Sequence, residues 1–399
     1  MKKFKLESIM AILMFHLMAI DIYYINFYSL IKLIIIFLIG IYILRYSKII
    51  ISQENFSIKF SMLLFGSAII ISSIINRHVL VTPLNGFVYT LKIWESILFF
   101  LIINKKGEFR NIMNIFYKIT LFYVILTDIL LIFLPRLYII YERNYLIGNK
   151  FEVVYLHIFL ICLYLYISKN KKSYCIMIAK NKKLKMNSFI HTIYWLITLI
   201  ISVKIECSTG IVCCIIIAIF VFFEATLKYI LNKWWIFLIS TAFFDSIMFF
   251  SQEILNNSYV QLFITQVLQR DLGLTGRTVI YSKILPVVFQ ELWWGYGQGN
   301  SFYIINSQLN GFPNAQNGIL QCCINFGVVG VIAMLVMYCL ILHKKKTSIQ
   351  YPILIMIYLY VIISSIEITF ELNMIFLFAI LCGTIKNDIS CMKEDNLVE

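Results

Sequence analysis

Arg277 lies in the stretch LGLTGRTVIYSK, residues 272–283, within a long polar interruption of an otherwise apolar chain. If Thr275 caps a helix from Gly276 to about Trp294, Arg277 falls in its first turn, beside free backbone N–H groups and the positive end of the helix dipole. A guanidinium group also donates paired hydrogen bonds that match adjacent phosphate oxygens. The stretch therefore predicts a site for a phosphate-like anion, with Tyr281 one turn later on the same helix face.

The composition indicates that this site belongs to a membrane protein. The chain has 399 residues, of which 61% are hydrophobic and 14% charged, and its mean hydropathy is +0.87. These values exclude a soluble globular protein and predict an all-α integral membrane protein. The cysteines lie mostly within apolar runs and lack CxxC or Cys/His spacing, so neither a disulfide framework nor a metal site is predicted.

Twelve segments have the length and apolarity of membrane spans, each of which needs about 20 mostly apolar residues. With the N-terminus in the cytoplasm, most of the 34 lysines and arginines fall on the inner side, so both termini are predicted to be cytoplasmic. Orientation thus explains the net charge of +14 without a nucleic-acid partner. The predicted spans are 6–25, 28–44, 58–75, 84–103, 112–134, 151–168, 189–203, 209–227, 234–250, 317–342, 351–366 and 372–385.

These spans divide the chain into four regions. Residues 1–250 hold nine spans, residues 251–316 form an extracytoplasmic loop, residues 317–386 hold three spans, and residues 387–399 form a cytoplasmic tail. Within the loop, apolar residues from Ile280 to Leu292 recur at helical spacing and predict a helix along the membrane interface. The glycine-rich run GYGQGNSF that follows is predicted to be a mobile turn, because no strand precedes it as a nucleotide-binding loop would require.

Several basic residues oppose the orientation rule because they fall on the predicted outer side. Each of them could cap a helix or contact lipid headgroups, but several together could also converge on one anion. The outer basic residues are Arg77, Arg136, Arg143, Lys150, Lys204, Arg270, Arg277 and Lys283.

Four stretches resemble the O-antigen polymerase and ligase superfamily. LTGRT, followed by a turn rich in tryptophan and glycine, precedes PNAQNGILQCCINFGVVGVI, in which Gly327 and Gly330 form a G-x-x-G step. Upstream, YLIGNKFEVVYLHIFLICLY at 145–164 is similar to the GNK stretch of Wzy-type capsule and exopolysaccharide polymerases, and ECSTGIV at 206–212 resembles a further stretch at an outer helix start.

The resemblance implies a GT-C-like fold of about twelve transmembrane helices with a large outer loop that carries interfacial helices. It also implies a metal-independent, inverting glycosyl transfer without a cofactor at the outer face of the cytoplasmic membrane. The substrate would be an undecaprenyl-diphosphate-linked oligosaccharide. The partners would be the membrane lipid around the protein, a flippase and a chain-length regulator. Arg277 would hold the diphosphate leaving group.

Two departures from the family pattern leave roles open. Gln316 stands before Asn317 where ligase-type members have histidine, and an amide cannot act as a base near neutral pH, so Gln316 and Asn317 are predicted only to orient a substrate. Ser208 stands where many members have arginine, so a second cation for the diphosphate must come from Lys150, Arg143 or Lys204. The base candidates are His78, His157, Glu142 and Glu206.

Two other functions compete with polymerisation. A flippase for lipid-linked oligosaccharides would also have about twelve spans, but it should show two similar halves and short outer loops, and the sequence shows neither. An O-antigen-ligase-like transferase would use the same chemistry on a different acceptor. The sequence favours the polymerase through its GNK stretch and the absent histidine.

Overall fold

The computed structural model forms α-helices and no strand in the part of the chain that it describes. The described residues are 5–22, 25, 27–78, 83–135, 145–171, 180–246, 256–262, 265–266, 277–309, 311–345 and 350–385. The helices in chain order are α1 Leu6–Met18, α2 Tyr28–Leu44, α3 Ser47–Ile51, α4 Phe56–Ile75, α5 Pro83–Lys106, α6 Phe109–Phe133, α7 Lys150–Lys171, α8 Lys180–Lys204, α9 Ser208–Phe222, α10 Glu224–Ile230, α11 Trp234–Ser246, α12 Ser258–Leu262, α13 Arg277–Gln290, α14 Ser301–Gln308, α15 Gly318–Lys344, α16 Tyr351–Ile363 and α17 Leu372–Cys382.

Helices occupy every position predicted to be a span. In the described part of the chain, five are long and apolar enough to cross a membrane by themselves: α4, α5, α6, α7 and α15. The pair α9 and α10 would add a sixth span, but the two helices are bent by 95°. Further apolar helices, including α1, α2, α16 and α17, are shorter. The chain therefore has the helices of a membrane-embedded protein by length and composition.

The two most apolar C-terminal helices form the centre of the bundle. In α16 nearly every residue from Tyr351 to Ile363 is buried, and in α17 all residues from Met374 to Cys382 are buried. Helices nearer the outside have one exposed apolar face, as Phe37 in α2 and Phe133 in α6 show with exposed fractions of 67% and 74%. A helix that is apolar on all sides belongs in such an interior, surrounded by helices that meet the apolar environment outside.

Ion pairs close one end of this bundle, called here the Lys106 end. Lys106 pairs with Glu7, Lys5 with Glu108, and Lys169 with Glu224. The opposite end, called the Arg277 end, contains the start of α13 and residues 19–21, 147–152, 206–210, 316–318 and 364–371. In each ion pair at the Lys106 end, both residues are predicted from the sequence to lie at the inner side. The pairing therefore agrees with helices that alternate in direction, as predicted.

The long helix α15 is interrupted at Gly327, where the backbone has φ +69°. Residues 292–297 fill the interruption: the backbone N–H groups of Tyr296 and Gly297 donate to the carbonyls of Ile324 and Asn325, at 2.7 and 3.1 Å. In return, Val328 N–H donates to the carbonyl of Leu292 at 2.8 Å. The glycine-rich turn was predicted to be mobile, but backbone hydrogen bonds to α15 hold it in place.

Helix α13 differs from its prediction in its end and in its packing. Its described part runs from Arg277 to Gln290 and contains Pro286, and the predicted start at Gly276 with Thr275 as cap lies outside the described residues. It ends at Gln290 because the next residues bind the interruption in α15, and part of its apolar face is buried against protein. Ile280 and Ile284 are at most 1% exposed and pack with residues of α14 and α15 in a small separate core. Helical spacing alone cannot distinguish a protein partner from a lipid one.

Candidate functional site

Tyr281 connects α13 to two other segments at the Arg277 end. Its hydroxyl lies 2.8 Å from the carbonyl oxygen of Gln316 and 2.8 Å from that of Ser365, so a single O–H group is shared between two acceptors. Arg277 begins the same helix one turn earlier. The first-turn N–H groups of α13 are thereby fixed against the start of α15 and the segment that joins α16 to α17.

Asp245 fixes the start of α15 from the other side. Its Oδ1 accepts hydrogen bonds from Asn317 Nδ2 at 3.1 Å and from Ser364 Oγ at 3.0 Å. Asn317 is fully buried and also caps α15, since its Oδ1 accepts from Leu320 N–H at 2.9 Å. Gln316, with φ +51°, binds Asn314 through both its backbone N–H and its side-chain amide. These bonds give Asn317 and Gln316 structural partners and hold the turn rigidly beside Tyr281.

The GNK and ECSTG stretches also meet at the Arg277 end. Lys150 Nζ donates to the carbonyl oxygen of Glu206 at 3.2 Å. Thr209, in the first turn of α9, places its Oγ1 3.5 Å from Oε1 of Glu367. Glu367 lies two residues after Ser365, the acceptor for Tyr281. The segment 364–371 therefore contacts ECSTG through Thr209, the PNAQNG stretch through Gly318, whose N–H donates to the carbonyl of Ser364, and α13 through Tyr281.

A cavity of about 230 Å³ opens beside this segment, between the ends of α1, α7, α16 and α17. Its polar lining consists of Asp21, Lys32, Asn149, Glu152, Tyr155, Tyr360, Glu367, Glu371 and Asn373. Gly148 helps to position Glu152: it has φ +111°, and a side chain on it would lie 1.6 Å from the Glu152 carboxylate. The glycine of the GNK stretch is thus required by both backbone conformation and close contact.

Carboxylates outnumber cations in this cavity. Lys32, the cation of the lining, is paired with Asp21, its Nζ lying 2.6 Å from Oδ1. Glu152 accepts one hydrogen bond from Asn149 N–H at 2.7 Å. Glu371 lies just before α17, and burial raises the pKa of its carboxyl to about 7. Carboxyl groups therefore dominate the polar lining, and burial favours the uncharged form of Glu371.

The four base candidates predicted from the sequence lie apart from this cavity or outside the described residues. His157 is 2% exposed, and its Nε2 lies 3.1 Å from Oδ1 of Asp128 in α6, a contact between two helices. His78 is exposed and accepts from Arg77 Nε at 3.3 Å. Glu206 is exposed with φ +54°, and Glu142 lies outside the described residues. Of the described candidates, none lines the cavity.

The structure describes three of the four cations that were predicted to bind the diphosphate. Lys150 begins α7 and reaches the backbone beside ECSTG, as given above, whereas Lys204 is exposed at the end of α8. Arg143 lies outside the described residues. Arg277 is placed by its backbone at the start of α13. Of these four cations, Lys150 contacts the ECSTG stretch, and Arg277 belongs to the helix that Tyr281 joins to segment 364–371.

The cavity carboxylates Glu152, Glu367 and Glu371 were missed by sequence reasoning, which concentrated on histidines and on the loops with outer cations. A signal was present. Glu367 and Glu371 are the acidic residues of the short interval between two apolar segments, and Glu152 follows GNK by two positions at the start of a predicted span. Among the described residues, no group of three His, Cys, Asp or Glu side chains is arranged to hold a metal ion.

Comparison with protein-family models, curated proteins and solved structures finds no match for this chain.

Proposed function

We propose that this protein is a membrane glycosyltransferase of the polysaccharide-polymerase type, which joins undecaprenyl-diphosphate-linked repeat units. The observation that carries the proposal is the meeting of the GNK, ECSTG, LTGRT and PNAQNG stretches at one end of the helical bundle. They are far apart in sequence, yet Lys150 contacts Glu206, Thr209 contacts Glu367, and Tyr281, three residues after LTGRT, contacts Gln316. The GNK stretch and Glu367 also line the polar cavity. Twelve spans and a GT-C-like architecture are part of this proposal.

The lipid diphosphate would bind at the start of α13. The positive end of the helix dipole at the first turn favours an anion there, and Arg277 occupies the first position. Tyr281 fixes this helix to the backbone at Gln316 and Ser365. Cations and N–H groups that are held in place stabilise charge on a departing diphosphate without a cost of reorganisation.

The proposed reaction is a single displacement at the anomeric carbon of the donor sugar. An acceptor hydroxyl oxygen forms a bond to that carbon, and the bond between the carbon and the diphosphate oxygen breaks. The electron pair of the broken bond leaves with the diphosphate, and the hydroxyl proton passes to a protein carboxylate. The configuration at the anomeric carbon inverts, and the growing chain now rests on the acceptor lipid.

The flippase alternative has one structural feature in its favour, the interruption of α15 at Gly327. Broken helices line substrate paths in transporters, where freed backbone groups bind the substrate or ion. Here the segment 292–297 takes up the backbone groups around the break, so the interruption serves packing of the Arg277 end. This favours a fixed catalytic site over a moving one.

Replacement of Arg277 by Ala tests the proposal in cells that make the polysaccharide. We expect polymer to fall by about 100-fold or more at unchanged protein level, since a removed transition-state donor typically costs that much. Arg277→Lys should recover little because the paired guanidinium geometry is lost. The matched control is Arg45→Ala, an exposed arginine that follows α2 near the Lys106 end. Normal polymer in the Arg277→Ala cells would refute the diphosphate-binding role.

A further inference from the structure

We propose that the cavity between α1, α7, α16 and α17 binds one sugar ring of the acceptor repeat unit, and that this ring is neutral or bears an amine. This inference rests on the proposed glycosyl transfer and specifies its acceptor site. It is carried by the volume of the cavity, by a buried hydroxyl group without a partner among the described residues, and by the excess of carboxylates.

The volume suits a single six-membered ring. The cavity measures about 230 Å³, whereas an apolar protein cavity of roughly 150 Å³ accommodates a benzene ring. A pyranose with its hydroxyl groups is larger than benzene, and the larger volume leaves room for one such ring. A whole repeat unit does not fit, so the remaining sugars would extend from the opening near Asp21, whose side chain is 65% exposed.

The polar lining provides hydrogen bonds that the protein itself does not use. Tyr360 is 2% exposed and lines the cavity, yet its hydroxyl has no hydrogen-bond partner among the described residues. The side chains of Glu371 and Asn373, which are partly exposed, also line the cavity. A buried polar group without a partner is costly, so the Tyr360 hydroxyl requires a ligand or water. Sugar hydroxyls both donate and accept, which matches a mixed set of hydroxyl, amide and carboxylate.

Aromatic rings supply the second half of a sugar site. Phe151, Phe159 and Phe376 line the cavity together with Tyr155 and Tyr360, whose rings pack edge to face with centroids 5.1 Å apart. Ligand sites typically combine apolar walls with a few polar groups in fixed positions. The C–H face of a pyranose can rest on such walls while its hydroxyls reach the carboxylates.

The charge of the lining sets the selectivity. Because Lys32 is already paired with Asp21, each of Glu152, Glu367 and Glu371 that is ionised adds an unbalanced negative charge to the cavity. A uronic acid would place a further carboxylate beside them and be repelled. A neutral sugar avoids this repulsion, and an amino sugar gains from the field. The diphosphate is thereby directed to α13 and the acceptor ring to the cavity.

Glu367 is the carboxylate assigned to accept the proton of the acceptor hydroxyl. It is 7% exposed and lines the cavity. It also belongs to the segment whose Ser365 carbonyl contacts the Tyr281 hydroxyl. Tyr281 lies one helical turn after Arg277 in α13. A base at this position lines the sugar cavity, and its segment is joined to the helix of the diphosphate site through Tyr281.

Saturation-transfer NMR tests the cavity directly, with the purified full chain in lipid nanodiscs and glucose, glucosamine and glucuronate as probes. We expect transfer to glucose and glucosamine and about tenfold weaker binding of glucuronate, because its carboxylate is repelled by the carboxylates of the lining. Tyr360→Phe and Glu371→Gln should each weaken glucose binding, by up to about tenfold. Glu224→Gln, a carboxylate paired with Lys169 at the Lys106 end, should leave it unchanged.

The outcomes separate this inference from the proposed function. Equal transfer to glucuronate, unchanged glucose binding in both cavity variants, or no transfer to any probe in the wild type would each overturn the sugar cavity. None of these results touches the diphosphate role, which stands or falls with polymer formation in the Arg277→Ala cells. The conservative variants keep side-chain size, and a single sharp elution peak at the wild-type volume checks that each one folds.

Discussion

The two ends of the helical bundle use charged residues in opposite ways. At the Lys106 end, Lys5, Lys105, Lys106 and Lys169 each meet a carboxylate, so every one of these charges is balanced by a neighbour from another segment. At the Arg277 end, one lysine faces four carboxylates around a cavity, and it is paired with the most exposed of them.

The difference indicates which end carries function. Paired charges on helix ends hold segments together and need nothing further. Carboxylates gathered around a polar cavity repel one another, so their arrangement costs stability unless a ligand or protons compensate for it. Residues that break the rules of stable packing in this way are expected at functional sites. The comparison can be tested by pairs of matched substitutions, one at each region.

The largest effect is expected from two glycines that share the same backbone angle. Gly327 and Gly107 both have φ +69°, but a side chain on Gly327 would lie 2.1 Å from the carbonyl oxygen of Trp293, whereas one on Gly107 meets nothing within 4 Å. Gly327→Ala should therefore prevent folding of the Arg277 end and abolish stable protein. Gly107→Ala should cost only about 1–2 kcal/mol for the left-handed conformation. Membrane-fraction yield and thermal melting measure both, and equal behaviour would contradict the close packing at α15.

A second pair compares carboxylates. Glu367→Gln should lower polymer formation by roughly 100- to 10,000-fold, the usual contribution of a positioned base, while the protein remains stable because the amide is nearly isosteric. Glu224→Gln should leave polymer formation normal. Both variants are compared by gel analysis of polymer at matched protein level. If Glu367→Gln makes normal polymer, the base lies elsewhere.

The smallest effect concerns the stability of the Lys106 end. Lys106 pairs with Glu7, contacts the hydroxyl of Tyr46 and lies 4.1 Å from the centroid of that ring, so Lys106→Ala should lower the free energy of unfolding by about 1–2 kcal/mol. Lys105→Ala removes a single pair with Glu54 at 3.0 Å, and its cost should stay within about 0.5 kcal/mol. Both should leave polymer formation per molecule unchanged. Loss of polymer at normal stability would mean that this end also takes part in function.

Most of the helical framework could be predicted from the sequence, because length and apolarity directly limit where spans can form. A helix overlaps each of the twelve predicted segments, and among the described residues five of these helices are long and apolar enough to cross a membrane. A helix that contains Arg277, Tyr281 and Pro286 followed from helical spacing, whereas its predicted cap, Thr275, lies outside the described residues. These features depend on residues close together in sequence.

The rest depends on contacts between distant segments. The apolar face of α13 reads the same whether it meets lipid or protein, so its burial against α14 and α15 could not be predicted. The interruption of α15 arises because residues 292–297 bind its backbone, which the G-x-x-G pattern alone does not reveal. The cavity brings together residues from 21 to 373, and no spacing in the sequence indicates that Glu152, Glu367 and Glu371 share it.

The most direct test of the central claim is the size and sidedness of lipid-linked glycan in cells that lack this gene. Gel analysis combined with a label specific for the outer leaflet would show both. A polymerase predicts single repeat units accumulated on the outer leaflet of the cytoplasmic membrane, and their extension to polymer when the wild-type gene is restored. Units trapped on the inner leaflet would instead indicate a flippase, full-length lipid-linked polymer would indicate a ligase, and either result would contradict the proposed function.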